Sequence, residues 1–123
     1  MIRGTVTARH EAVVKLQVRG PGGAEADVDA VIDTGFTASL TLPAATAAAL
    51  GLVRASGGSA VLADGSTRQF DIFEAEVAWD GVWRPVLVWA VGDEVLLGMR
   101  LLAGYQLRIE AVPGGAVEVT PLP

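Results

Sequence analysis

The chain has 123 residues, no cysteine, a formal charge of −5, 51% hydrophobic residues and 19% charged ones. A disulfide or thiolate–metal scaffold is excluded, and nine basic residues against fourteen acidic ones offer no segregated cationic surface for nucleic acid. The length suits one domain over residues 1–123 with its own core, and no apolar stretch approaches the ~18 residues of a membrane helix.

The N-terminal residues Met1 to Thr7 carry no apolar run of signal-peptide type, so a cytoplasmic location and no membrane association are expected. Ala12 to Arg19 alternates, with Val14, Leu16 and Val18 on one face and Lys15, Gln17 and Arg19 on the other, which predicts a half-buried strand. The Gly20 to Gly23 turn leads into a second alternating segment ending in Val31 and Ile32, so the two form a hairpin. Pro43 and the alanine-rich run to Leu50, stopped by Gly51, predict a short helix. From Ser59 the pattern returns to strands: Ala60 to Leu62, a turn over Ala63, Asp64, Gly65 and Ser66, and a long strand from Thr67 to Trp79. Asp80 and Gly81 turn the chain into Val82 to Val91. A short apolar run, Val95 to Leu97, precedes Gly98 and one helical turn over Met99 to Ala103. Strands over Gln106 to Glu110 and Val117 to Val119 close the chain. Strands at this spacing with two short helices predict an all-β barrel or folded sandwich.

Few residues can carry chemistry. His10, the only histidine, lies between Arg9 and Glu11 and reads as a solvated side chain; no second histidine or cysteine exists to complete a metal site. No serine stands in a nucleophile elbow, and the only lysine, Lys15, lies mid-strand, away from any phosphate loop. Asp27 and Asp29 fall on the solvent face of a strand. Asp33 differs, because it directly follows Val31 and Ile32 and precedes Thr34 and Gly35. A carboxylate at the end of a buried strand is expensive unless paired, hydrogen-bonded or functional. An Asx turn bonding the amide near Gly35 would account for it structurally.

Three elements in order widen the choice: the strand Val28 to Ile32 entering Asp33, Thr34 and Gly35; a hairpin with its tip at Ala63 to Ser66; and Val95 to Leu102 with Gly98 after the apolar run. Together they resemble the retropepsin-like aspartic peptidases, the single-domain relatives of pepsin, over roughly residues 12 to 110. After Gly35 retroviral members usually carry Ala and then Ser or Asp, with acidic residues that help bind the peptide backbone; Phe36, Thr37, Ala38 and Ser39 stand here instead, which looks like the small prokaryotic members. The resemblance implies an acid-protease-type β-barrel, closed or partly open, with a flap hairpin. It implies Asp33 as catalytic group with Thr34 and Gly35 beside it, and substrate contacts from Phe36, Thr37 and the flap residues Ala63, Asp64, Gly65 and Ser66. Leu97 and Gly98 would support the loop from a psi-shaped arrangement. No cofactor and no metal are implied.

Peptide hydrolysis by carboxylates needs one ionised group to take a proton from water and one protonated group to polarise the scissile carbonyl. One chain supplies one such aspartate. The expectation is therefore a homodimer with two Asp33 side chains at its axis, acting on a peptide or protein substrate. Part of Val95 to Leu102, the Phe36 region and the terminal strands would be buried between subunits, absorbing the high apolar content. Two other readings stand beside it: a non-catalytic peptide-binding or assembly module that keeps the fold, and a single-chain carboxylate hydrolase, which would need a second acid near Asp33.

Overall fold

The computed structural model describes residues 1–123. It is all-β apart from two short helices, in the order β1 (Ile2–Val6), β2 (Ala12–Arg19), β3 (Glu25–Ile32), β4 (Leu40–Leu42), α1 (Ala44–Ala49), β5 (Val53–Val61), β6 (Thr67–Trp79), β7 (Val82–Ala90), β8 (Leu96–Leu97), α2 (Met99–Leu102), β9 (Tyr105–Ile109) and β10 (Ala116–Pro121). No helix is long and apolar enough to cross a membrane.

All ten strands belong to one sheet, ordered β5-β6-β7-β4-β8-β3-β2-β1-β10-β9. A further pairing of β2 with β6, through Val18 opposite Val77 and Arg19 opposite Glu76, closes its middle into a ring. The inward residues of the alternating strands fill that ring: Val14, Leu16 and Val18 from β2, Val77 from β6 and Val88 from β7 are all buried. Alternation with period two makes this possible, since each strand sends every second side chain inward. Outside the ring, β1 lies between β2 and β10, and the β9–β10 hairpin packs Val117 and Val119 against the same core.

The predicted hairpins lie where the sequence places them. Residues Val13 to Arg19 pair with Glu25 to Val31, Thr67 to Val61 across the Asp64-Gly65 turn, and Trp79 to Val82 across the Asp80-Gly81 turn. The helix over Ala44–Ala49 starts after Pro43 and ends at Gly51, which sits at φ +64°, beyond the reach of most side chains. Two features differ from the sequence reading. β5 begins at Val53 rather than near Ser59, with a register shift between Arg54 and Ser56; the Gly57-Gly58 pair and the exposed polar residues hide the strand, because pairing with β6 and not a buried face holds it. β4, with three buried residues, is too short for any period to register. The terminal strands pair with each other inside the chain, Ile2 opposite Val119 and Thr5 opposite Ala116.

Leu97, Leu101 and Leu102 are buried in the chain's own core, at 0%, 0% and 5% exposure, whereas Met99 between them is 47% exposed. A four-residue helix can bury two leucines because α2 packs against β9 and the core, with Leu101 C=O accepting from Arg84 of β7.

Candidate active site

Asp33 stands at the C-terminal end of β3, a strand held on both sides. β2 runs antiparallel along one edge and β8 parallel along the other, with Val31 opposite Leu96 and Ile32 opposite Leu97. β8 separates β3 from β4, its sequential successor, and pairs antiparallel with β4 through Leu40 and Leu97. The segment Asp33 to Ser39 therefore leaves the sheet on one side of β8 and re-enters on the other.

Its path is fixed by backbone hydrogen bonds. Asp33 N–H donates to Leu97 C=O at 2.9 Å, and Phe36 N–H to Asp33 C=O at 3.1 Å, closing a tight turn over Thr34 and Gly35. Three consecutive amides at the start of α2 then donate to the loop: Gly98 to Ser39 C=O at 2.9 Å, Met99 to Phe36 C=O at 2.8 Å and Arg100 to Ala38 C=O at 3.2 Å. The first amides of any helix lack partners within it, and here the loop carbonyls supply them. Gly98 is demanded by this approach. A Cβ there would meet the Ala38 carbonyl oxygen and sit 2.7 Å from that of Phe36.

On this hydrogen-bonded backbone, the polar side chains of Asp33 and Thr34 make few bonds of their own. Asp33 is half-buried, and Thr34 and Gly35 are exposed. One carboxylate oxygen, Oδ1, accepts the Gly35 amide at 2.9 Å, and Asp33 takes part in none of the five ion pairs of the chain. An ionised carboxylate has about four acceptor positions, so most of its capacity is unused. The Thr34 hydroxyl makes no hydrogen bond within the chain. The Asx-type turn expected at Asp33 is thus present, and it leaves the second carboxylate oxygen open.

An aromatic chain that the sequence reading missed joins this loop to the β5–β6 hairpin. The Phe36 ring meets Trp89 edge-on at 5.1 Å between centroids, and Trp89 meets Phe70 at 4.9 Å. Phe70 belongs to β6, opposite Gly58 of β5, and its ring occupies the space a Cβ at Gly58 would need. Trp89 lies opposite Thr41 of β4 on one side and Ile72 of β6 on the other, and these two pairings set it between the loop's Phe36 and the hairpin's Phe70.

The predicted site residues therefore divide. Asp33, Thr34, Gly35 and Phe36 come together with Leu97 and Gly98. Thr37 lies further along the loop, on a groove it shares with Arg100. Ala63, Asp64, Gly65 and Ser66 form the exposed hairpin tip, and the tip's hydrogen bonds stay within the hairpin. There Asp64 Oδ1 accepts both the hydroxyl and the amide of Ser66, and the hydroxyl above all holds the Asp64 carboxyl below its ordinary value. His10 is exposed in the β1–β2 turn, and no group of three or more His, Cys, Asp or Glu side chains is placed to hold a metal ion. Neither a family model nor a curated protein matches this chain.

Proposed function

We propose that the protein is an aspartic endopeptidase of the retropepsin-like type, active as a homodimer in which the Asp33 side chains of two copies meet. The observation that carries the reading is the contrast at the β3 terminus. A backbone loop locked by hydrogen bonds to Leu97, Gly98, Met99 and Arg100 presents a carboxylate without a cation beside it and a threonine hydroxyl without a partner. A loop needing Asp33 only for its shape would be served by the Gly35 amide and would not require a carboxylate whose second oxygen is open. The parallel run of β3 and β8, with the loop passing around β8, also agrees with the psi-shaped arrangement that the resemblance implies.

Two carboxylates brought within a few Å cannot both ionise cheaply, so the pair shares one proton, a behaviour for which aspartic peptidases are themselves the usual example. The ionised Asp33 takes a proton from water as the water oxygen attacks the scissile carbonyl carbon, and the protonated Asp33 hydrogen-bonds the carbonyl oxygen. The tetrahedral intermediate then collapses as the Asp33 that took the water proton passes it to the amide nitrogen, the C–N bond breaks and the amine leaves. Gly35 lets its amide approach the carboxylate, and the Thr34 hydroxyls brace the two loops across the axis. The β5–β6 hairpin covers the substrate, which lies extended beneath it.

Asp33→Asn tests this. Cleavage of a mixed peptide library by the purified chain should disappear, while far-ultraviolet circular dichroism and the unfolding midpoint stay near those of the unaltered chain. Undiminished cleavage by the variant would sink the assignment. Sedimentation at high micromolar concentration should show a dimer; a strict monomer there favours a peptide-binding or assembly role for the same fold.

A further inference from the structure

Two grooves share the β7 segment Pro85 to Leu87 and differ in charge. One, of about 490 Å³, contains Arg19 together with Glu74 and Glu76. Its arginine is already engaged, 3.0 Å from Glu76 and stacked 4.0 Å over the ring of Trp83. The other, of about 630 Å³, runs from Thr37, Ala38 and Ser39 to Trp89 and contains Arg84 and Arg100 with no acidic residue in its lining. Neither arginine belongs to any ion pair of the chain.

Among the basic side chains outside every ion pair, these two line one groove. Arg84 is half-buried and donates to Leu101 C=O at 3.3 Å, which ties its stem along the groove wall beside α2. Arg100 is exposed, and its backbone amide is pinned to Ala38 C=O, so its side chain starts from a fixed point next to the Asp33 loop. The indole of Trp89 is held between Phe36 and Phe70 and gives the groove a rigid apolar wall. A guanidinium matches a carboxylate geometrically, through parallel N–H donors.

We propose that this second groove is a recognition site for the acidic side chains of a peptide, with Arg84 and Arg100 receiving glutamate or aspartate carboxylates and Trp89 and Leu87 contacting the ligand's apolar stems. The identity of that peptide as a substrate rests on the peptidase reading; the charge preference does not. A peptide fits better than nucleic acid, because two arginines on a chain of net charge −5 provide too few cations to neutralise a phosphate backbone. Asp33 does not line the groove, so the site selects ligands beside the reacting loop and takes no part in bond cleavage.

The test uses the full chain carrying Asp33→Asn, so that no peptide is consumed, with a fluorescein-labelled glutamate-rich peptide and its glutamine counterpart as probes in an anisotropy titration. The glutamate peptide should bind more tightly, with the difference shrinking as salt rises. Arg100→Glu, at an exposed position, should weaken glutamate-peptide binding by roughly tenfold and leave the glutamine peptide unchanged. Arg100→Gln should give an intermediate loss. Equal affinity for the two peptides, or indifference to Arg100→Glu, overturns the proposal. So does displacement of the glutamate peptide by inorganic phosphate or a single-stranded oligonucleotide at lower concentration than by unlabelled glutamate peptide. The two readings fail separately: a preserved charge preference in a chain without peptidase activity removes the catalytic reading alone, and cleavage without the preference removes this one alone.

Discussion

The amide of Asp33 donates to the carbonyl oxygen of Leu97 at 2.9 Å, so the last hydrogen bond between parallel strands β3 and β8 is made by the residue that carries the carboxylate. The loop bearing Asp33 is consequently an extension of the sheet, and its position depends on β8 and the glycine that follows it.

That dependence makes Gly98→Ala a sensitive probe. The added methyl would collide with the backbone oxygens of Ala38 and Phe36, neither of which can move without breaking the bonds from Arg100 and Met99. Overpacking of this kind costs about 1–3 kcal/mol. Urea denaturation should show the midpoint lowered accordingly, and peptide cleavage should fall further than the folded fraction does, because the displaced loop is the one that carries Asp33.

The edge-on contact between Phe36 and Trp89 predicts a coupling that each single change would hide. Aromatic pairs contribute about 0.5–1.5 kcal/mol beyond the area they bury. A double-mutant cycle with Phe36→Leu and Trp89→Leu, read by chemical denaturation, should return a coupling in that range; additive effects would mean the two rings are merely neighbours.

The hairpin tip should respond to acid. Asp64 is fully exposed, yet its carboxyl is held below the ordinary value of 3.8, chiefly by the Ser66 hydroxyl and then by the Ser66 amide. A carboxyl lowered in the folded state stabilises the turn above its unfolded value, and that contribution is lost as pH falls through the folded value. An NMR titration of the Asp64 carboxyl should thus have its midpoint below 3.8, with the Ser66 amide resonance shifting over the same acid range. Ser66→Ala should move the midpoint back toward the ordinary value, since it removes the larger of the two hydrogen bonds.

How far the sequence could be read follows from which interactions are local. The alternation of β2, the Asp-Gly turns and the strand Thr67–Trp79 are written in neighbouring residues, and the structure has them at those positions. Asp33 could be singled out because an acid after Val31 and Ile32 is costly without a purpose. By contrast, β4 and the first half of β5 owe their strand conformation to partners far along the chain, and no local period marks them. Trp89 comes to the loop through its register with Thr41 of β4, and Arg84 and Arg100 come to one groove as the Arg84 side chain reaches α2 at Leu101. No local pattern of residues marks these associations.

Thr41 shows the same limit and supplies a further prediction. It is only 3% exposed on β4, and its hydroxyl bridges two backbone groups of the segment leading into β8, donating to Glu94 C=O at 2.9 Å and accepting from Leu96 N–H at 2.8 Å. A buried hydroxyl placed in this way substitutes for a ladder hydrogen bond that three-residue β4 is too short to make. Thr41→Val keeps the shape and removes both bonds, stranding a donor and an acceptor beside the strand that positions Asp33. Leaving such groups unsatisfied costs about 1–3 kcal/mol, so the urea midpoint should fall, and amide exchange at Leu96 should accelerate. Thr41→Ser retains the hydroxyl and should recover the slow exchange at Leu96 even where the lost methyl lowers overall stability. If Thr41→Val leaves the Leu96 exchange rate unaltered, the hydroxyl does not hold β8, and the support of the Asp33 loop rests on Gly98 and the α2 amides alone.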